Sequence, residues 1–170
     1  LVNLVCSHFE NVILVYNSAK PMELGFINDY DQIRAAVWCQ GPGNVGFEAL
    51  GKILSGEVNP SGKTSDTFIY DMTAAPWWNN WEATHYSNME DMAVEGMNAG
   101  TAQTYYPSFT NYVEGIYVGY KYYETAAAEG VINYDETVQY PFGYGLSYTT
   151  FTQKMSNLTV SDGTISFDVT

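Results

Sequence analysis

The run Tyr140-Pro-Phe-Gly-Tyr-Gly-Leu-Ser-Tyr-Thr-Thr-Phe151 constrains the fold more than any other stretch of the chain. Pro141 fixes φ, and Gly143 and Gly145 permit backbone angles closed to other residues, so the chain turns here. The aromatic rings around that turn need something to pack against on either side. A packed turn joining two layers or domains is therefore expected, rather than a ligand contact, because aromatics beside glycine usually serve a core.

A chain of 170 residues is long enough for one domain with a real core, and 46% apolar with 16% aromatic content argues for a globular protein. Six basic against nineteen acidic residues leave a net charge of −13. That charge repels phosphate backbones and anionic membranes, so nucleic acid is excluded as a partner and a neutral or cationic one fits better. No apolar run approaches the roughly eighteen residues that cross a bilayer. Cys6 and Cys39 are too few and too far apart for a metal cluster, and each lies in an apolar setting where a thiol acts as a small hydrophobe. No metal is expected, and nothing supports a disulfide. Leu1-Val-Asn-Leu-Val-Cys6 reads like the middle of an amphipathic helix, and Asp168-Val-Thr170 ends inside an alternating pattern, so a segment of something longer is expected. Thiols and the lack of an export signal lean the expected location toward the cytoplasm.

Leu1, Leu4 and Val5 fall at helical spacing, and Asn11-Val-Ile-Leu-Val-Tyr16 is a short β-branched run of the kind that forms a buried parallel strand. Asn17-Ser-Ala-Lys-Pro21 breaks the pattern, and Ile33-Arg-Ala-Ala-Val-Trp-Cys39 predicts a second strand. After Gln40-Gly-Pro-Gly43, Phe47, Leu50, Ile53 and Leu54 share one helical face that Gly56 closes. Strand, loop, strand, loop, helix is α/β logic.

Gly41-Pro-Gly43-Asn-Val-Gly46 satisfies G-x-G-x-x-G between a strand and a helix, as a dinucleotide-binding loop does. That fingerprint also needs a second apolar strand ending in an acid about twenty residues on. Asp66 instead lies in the turn-rich Asn59-Pro-Ser-Gly-Lys-Thr-Ser-Asp66, with no strand before it. A tight turn bringing helix and sheet close explains the glycines better, and no cofactor is expected.

From about 69 to 110 the sequence shows no sustained period, only Pro76-Trp-Trp-Asn-Asn-Trp81, Glu90-Asp91 and Gly96-Met-Asn-Ala-Gly100, and reads as a long loop or insertion. Trp77, Trp78 and Trp81 have two uses open to them: packing beneath the loop, or stacking on sugar rings, whose apolar faces an indole covers well. They are weak candidates for substrate binding. His85, near Glu82 and Glu90, and His8 lack a positioned partner and carry no acid–base argument. Glu114-Gly-Ile-Tyr-Val-Gly-Tyr-Lys-Tyr-Tyr-Glu124 sets Ile116, Val118, Tyr120 and Tyr122 against Tyr117, Lys121 and Tyr123, which predicts a strand, with a small connecting segment following it. Beyond Phe151, two alternating runs around Asp162-Gly163 predict a hairpin. The sequon Asn157-Leu-Thr159 is common by chance and carries no argument.

Several of these stretches resemble glycoside hydrolase family 3, the β-glucosidases and their relatives. The turn at 140–151 is close to that family's P-F-G-Y-G-L-S-Y-T-x-F signature. The strand Val12 to Tyr16 with Asn17-Ser18, the segment Trp38-Cys-Gln-Gly-Pro-Gly-Asn-Val-Gly46, Gly56-Glu-Val-Asn-Pro-Ser-Gly-Lys63 and Glu114 to Tyr123 resemble further family stretches in the same order. Departures occur at Cys39 and Asn44, where the family's W-Y-P-G-Q-E run has tyrosine and its first acid, and at Thr64-Ser65, which replaces the common Leu-Pro.

The resemblance implies part of a layered α/β sandwich over 1–147, then the first strands of an all-β fibronectin type III-like sandwich over 148–170. It implies a segment of a retaining β-glycosidase, β-glucosidase-like or β-xylosidase-like, acting at the non-reducing ends of β-linked oligosaccharides or on aryl and alkyl glycosides. The nucleophile would lie on a TIM barrel of the same protein, outside this chain, and the acid/base glutamate ahead of Val12. No catalytic residue is therefore expected here, and Glu23, Glu48, Glu57 and Glu114 receive no such role. The segment's expected part is the rim of the barrel site, through 17–21, 41–46 or the tryptophan loop. Relatives with the barrel following these domains leave the domain order open. A non-catalytic carbohydrate-binding or structural module is the alternative.

Overall fold

The computed structural model describes residues 1–80 and 84–170. Helix α1 (Val2–Cys6) feeds strand β1 (Val12–Tyr16), and strand β2 (Ile33–Trp38) lies parallel beside it. The register runs from Val12 opposite Ile33 to Tyr16 opposite Trp38, with one irregularity just after Val12. Branched side chains that sit well on a pleated surface explain why these two runs pair. Helix α2 (Phe47–Leu54) follows, with Gly56 just past its end. Then come β3 (Phe68–Ile69), β4 (Thr84–His85), β5 (Val94–Asn98), β6 (Thr101–Tyr105) and β7 (Ser108–Phe109). The chain continues through α3 (Tyr120–Ala128), α4 (Tyr134–Thr137), β8 (Val138–Tyr140), β9 (Met155–Ser161) and β10 (Thr164–Val169). Mixed helices and small sheets of this kind make an α/β protein, as the sequence predicts. No helix among the described residues is long and apolar enough to cross a membrane.

The chain divides into two compact units, Leu1–Gly43 with Lys63–Tyr144, and Asn44–Gly62 with Gly145–Thr170. In the first, the core sits under the short antiparallel pair β3 and β8. Phe68 is 1% exposed, meeting Trp38 edge-on at 4.8 Å and Tyr140 at 6.1 Å between ring centres. Ile69, Ala75, Tyr123 and Val138 form the adjoining buried cluster, against which Trp77 and Tyr134 pack. In the second unit, Tyr148 Oη donates to Ile53 O at 2.6 Å, and Asn59 Oδ1 accepts from Ser147 Oγ and Tyr148 N at 2.9 Å each. β9 and β10 form the predicted antiparallel hairpin around Asp162-Gly163.

Three expectations are corrected. Glu114 to Glu124 is not a strand: a turn precedes Gly119 and the nine-residue helix α3 begins at Tyr120. Alternation of Tyr120 and Tyr122 against Lys121 and Tyr123 mimicked period two, but Thr125-Ala-Ala-Ala128 favours helix and buries Tyr123 with Ala126 on one face, three residues apart. The loop read without period at 69–110 holds the hairpin β5–β6, closed through Ala99 at φ 49° and Gly100 at φ 84°, and the pair β4–β7. Strand β1 is not a buried strand: successive side chains point to opposite faces of the sheet and alternate between half-buried and exposed, with Ile13 51% exposed.

Candidate functional site

Open α/β sheets place ligands beyond the carboxyl ends of their strands, and β1 ends at Tyr16. The loop that follows is held by the aromatic residues at both strand ends. Tyr16 Oη donates to Lys20 O at 2.5 Å, and Trp38 Nε1 donates to Ser18 O at 2.8 Å. Lys20 N adds a bond to Ser18 Oγ at 3.2 Å. Each ring has one polar atom and an otherwise apolar body, so a single hydrogen bond suffices to orient it. The next residues are tied down as well: Glu23 Oε1 accepts from Met72 N at 2.7 Å, and Leu24 O from Gln139 Nε2 at 3.0 Å.

This fixed loop is one wall of a cavity of about 500 Å³. Lys20 and Pro21 face Asp66 and Thr67, which immediately precede β3; Trp77 and Tyr123 complete the lining used below. Asp66 Oδ1 accepts from Thr67 N at 2.8 Å, which orients the carboxylate. Burial, followed by the charge of Asp66 and then of Tyr122 and Glu114, pushes the Tyr123 phenol up to about 12. Asp66 is the one carboxylate among the described lining residues. Retaining glycoside hydrolysis needs two, about 5 Å apart, so this pocket by itself does not assemble that pair.

Trp77 reaches the cavity while also packing against the buried cluster, and Trp78 lies beside it at 6.2 Å between ring centres without lining the pocket. Trp81 lies outside the described residues, as does Glu82. His85 is exposed on β4, and His8 is exposed with Nδ1 2.9 Å from Leu4 O. Glu48 pairs with Lys52 at 2.9 Å on the surface of α2. Cys6 and Cys39 are free thiols. Gly41 and Gly43 adopt φ of 42° and 64°, so these glycines serve a tight turn. Sequence reasoning singled out the loop 17–21 that holds Lys20, but not Asp66, Thr67 or Tyr123 as pocket residues. Asp66 drew notice only as a failed ribose ligand, and Tyr123 was set on a strand face.

A fixed loop at the carboxyl end of a parallel strand, with a carboxylate, two hydroxyls and an indole across the pocket from it, belongs to an α/β domain. The model of the Glycosyl hydrolase family 3 C-terminal domain matches residues 1–148, and the chain belongs to that family. Beta-glucosidase A of Butyrivibrio fibrisolvens is 35% identical over 151 residues, covering 89% of this chain and 15% of that protein. Thermostable beta-glucosidase B of Acetivibrio thermocellus is 31% identical over 151 residues, with 89% and 16% covered. Among solved structures, a β-glucosidase from Paenibacillus barengoltzii superimposes with a TM-score of 0.72 at 29% identity, over 99% of this chain and 16% of that one. β-Glucosidase from Kluyveromyces marxianus, solved in complex with glucose, gives 0.67 at 29% identity over 95% and 15%. The chain thus spans about 15% of the length of the relatives it matches.

Proposed function

We propose that this chain is a non-barrel segment of a retaining β-glycosidase, β-glucosidase-like or β-xylosidase-like, that completes the rim of an active site centred on a TIM barrel of the same protein. In such an enzyme an aspartate attacks the anomeric carbon, while a second carboxyl group protonates the leaving oxygen and later activates water. The observation that carries this reading is the family match over residues 1–148, to β-glucosidases of whose length this chain spans about 15%. Its substrates would be β-linked oligosaccharides or aryl and alkyl glycosides cut at the non-reducing end. Residues 1–147 would form the α/β sandwich part and 148–170 the start of a fibronectin type III-like domain. The family match over 1–148 supports that division, as does the β9–β10 hairpin, whose Leu158, Val160, Ile165 and Phe167 are all exposed.

The test compares the isolated 170 residues with the full-length protein on phenyl β-glucoside and phenyl β-xyloside. Hydrolysis by the full-length protein alone is expected; turnover by the isolated chain overturns the division of labour. The second reading, a carbohydrate-binding module, is favoured by Trp77 at the pocket wall. It predicts heats of cello-oligosaccharide binding by the isolated chain that fall on Trp77→Ala.

A further inference from the structure

The hairpin β5–β6 is a sheet of two strands, so each strand has an outer edge with no neighbour among the described residues. Its register pairs Asn98 with Thr101, Gly96 with Gln103 and Val94 with Tyr105, without a bulge. The two-residue turn at Ala99 and Gly100, both of positive φ, makes Asn98 and Thr101 a hydrogen-bonded pair. Bonded and non-bonded pairs alternate along an antiparallel ladder. Thr101, Gln103 and Tyr105 therefore turn their N–H and C=O groups toward β5, while Ala102 and Thr104 turn theirs outward. No other described backbone group bonds to those outward groups.

The two outer edges of the hairpin differ. On β5, the Tyr105 ring lies across Gly96, where a Cβ would meet Tyr105 Cε2 at 2.8 Å, and its hydroxyl donates to Met97 O at 3.4 Å. Glu95 places a charge within that strand, and Glu90 and Asp91 stand ahead of it. Charges, bulges and covering groups are the means by which sheet edges are kept from pairing. The hairpin β9–β10 has such guards too, with Asp168 and a break in register before it. Strand β6 has none of them. Thr101-Ala-Gln-Thr-Tyr105 is uncharged, regular and free of proline, and no charged residue occurs from 96 to 113. The Thr104 hydroxyl donates to Glu95 Oε1 at 2.8 Å on the sheet face, so it does not cover the edge.

Charge and symmetry select the strand that meets this edge. Copies of a chain of net charge −13 repel one another over most of their surface, but not along an uncharged stretch. Two β6 strands laid antiparallel about a two-fold axis at Gln103 set Ala102 of one copy opposite Thr104 of the other. Each such pair exchanges two hydrogen bonds, and the axis supplies the pair twice, so every outward group of Ala102 and Thr104 is met. Neighbouring registers set Thr104 against Gly100 or Ala102 against Tyr106, beyond the ends of the strand. We propose that β6 is a self-association edge, at which two copies of the protein join their β5–β6 hairpins into one continuous antiparallel sheet.

The test is sedimentation equilibrium of the full-length protein from about 5 to 500 µM. A strand of 5 residues makes a small interface, so a reversible dimer with a Kd of roughly micromolar order or weaker is expected. Ala102→Pro removes the outward N–H of each copy without touching the β5–β6 ladder, and is expected to raise the dimer Kd about 10-fold or more. Gln103 is exposed, so Gln103→Glu and Gln103→Lys keep the fold while setting like charges opposite each other across the axis. Each alone is expected to raise Kd about 3-fold or more, and an equimolar mixture of the two to associate at least as tightly as the wild type. A protein that stays monomeric throughout overturns the proposal; protection of the Ala102 and Thr104 amides from hydrogen exchange in that monomer would show that its own chain covers the edge. A dimer whose Kd neither rises in the single charge variants nor recovers in their mixture overturns it equally, by placing the contact on another surface.

Discussion

Thr64 Oγ1 donates to Pro141 O at 2.6 Å and accepts from Tyr144 N at 2.9 Å, so one threonine hydroxyl spans the turn from both sides. Its backbone does the same, with Thr64 N to Tyr144 O at 2.7 Å and Gly143 N to Thr64 O at 2.8 Å. Thr64 stands where the family commonly has leucine, and the hydroxyl gives that departure a structural purpose. Thr64→Val keeps the shape and removes both hydroxyl bonds, leaving the Tyr144 N–H its bond to Pro141 O at 3.1 Å, and is expected to cost about 1–2 kcal/mol. Thr64→Ser should cost clearly less, read as urea midpoints at unchanged slope.

Tyr123 links the fold to pH. Its phenol titrates at about 12, for the reasons of burial and neighbouring negative charge given above, against an ordinary value of 10. Between these values the unfolded chain has released the proton and the folded chain still holds it. The contribution of the neutral phenol is therefore complete below pH 10 and fades as pH rises through 12, by up to about 2–3 kcal/mol. Urea midpoints from pH 9 to 11.5 should fall more steeply in the wild type than in Tyr123→Phe. Tyr134, also raised to about 12, by burial and then by its bond to Glu124 Oε1, leaves a smaller residual slope because it is less buried.

Gly119 precedes α3 at φ 63°, ψ −134°, a region essentially closed to residues with a Cβ, although an added Cβ would touch nothing within 4 Å. Gly119→Ala is therefore a purely backbone perturbation, expected to destabilise by about 1–3 kcal/mol. Urea midpoints at unchanged slope check it, and an unchanged midpoint would show that the start of α3 does not need the glycine.

Phe68 is the most buried large side chain among the described residues and joins Trp38, at the end of β2, to Tyr140. Phe68→Ala should cost roughly 3–5 kcal/mol, and Phe68→Leu distinctly less. Calorimetric melting of the full-length protein checks both. A loss under about 1 kcal/mol for the alanine variant would place the core elsewhere.

The order of elements around β1, β2 and α2 was legible because each is specified by local pattern: Val12 to Tyr16 by branched residues, Phe47 to Leu54 by spacing, and the β9–β10 hairpin by Asp162-Gly163. The β5–β6 hairpin escaped because Ala99 is an unusual residue at φ 49°, and α3 escaped because alternating tyrosines carry period two and helical spacing at once. The sequence by itself determined these local elements and, through the turn at 140–151, the family. Only the tertiary structure decided that Lys20, Asp66, Thr67, Trp77 and Tyr123 share one cavity, since four distant stretches meet there through the packing of Phe68 and the hydrogen bonds that hold residues 16–24. Local periodicity records which face of an element is apolar, but not which other element that face will meet.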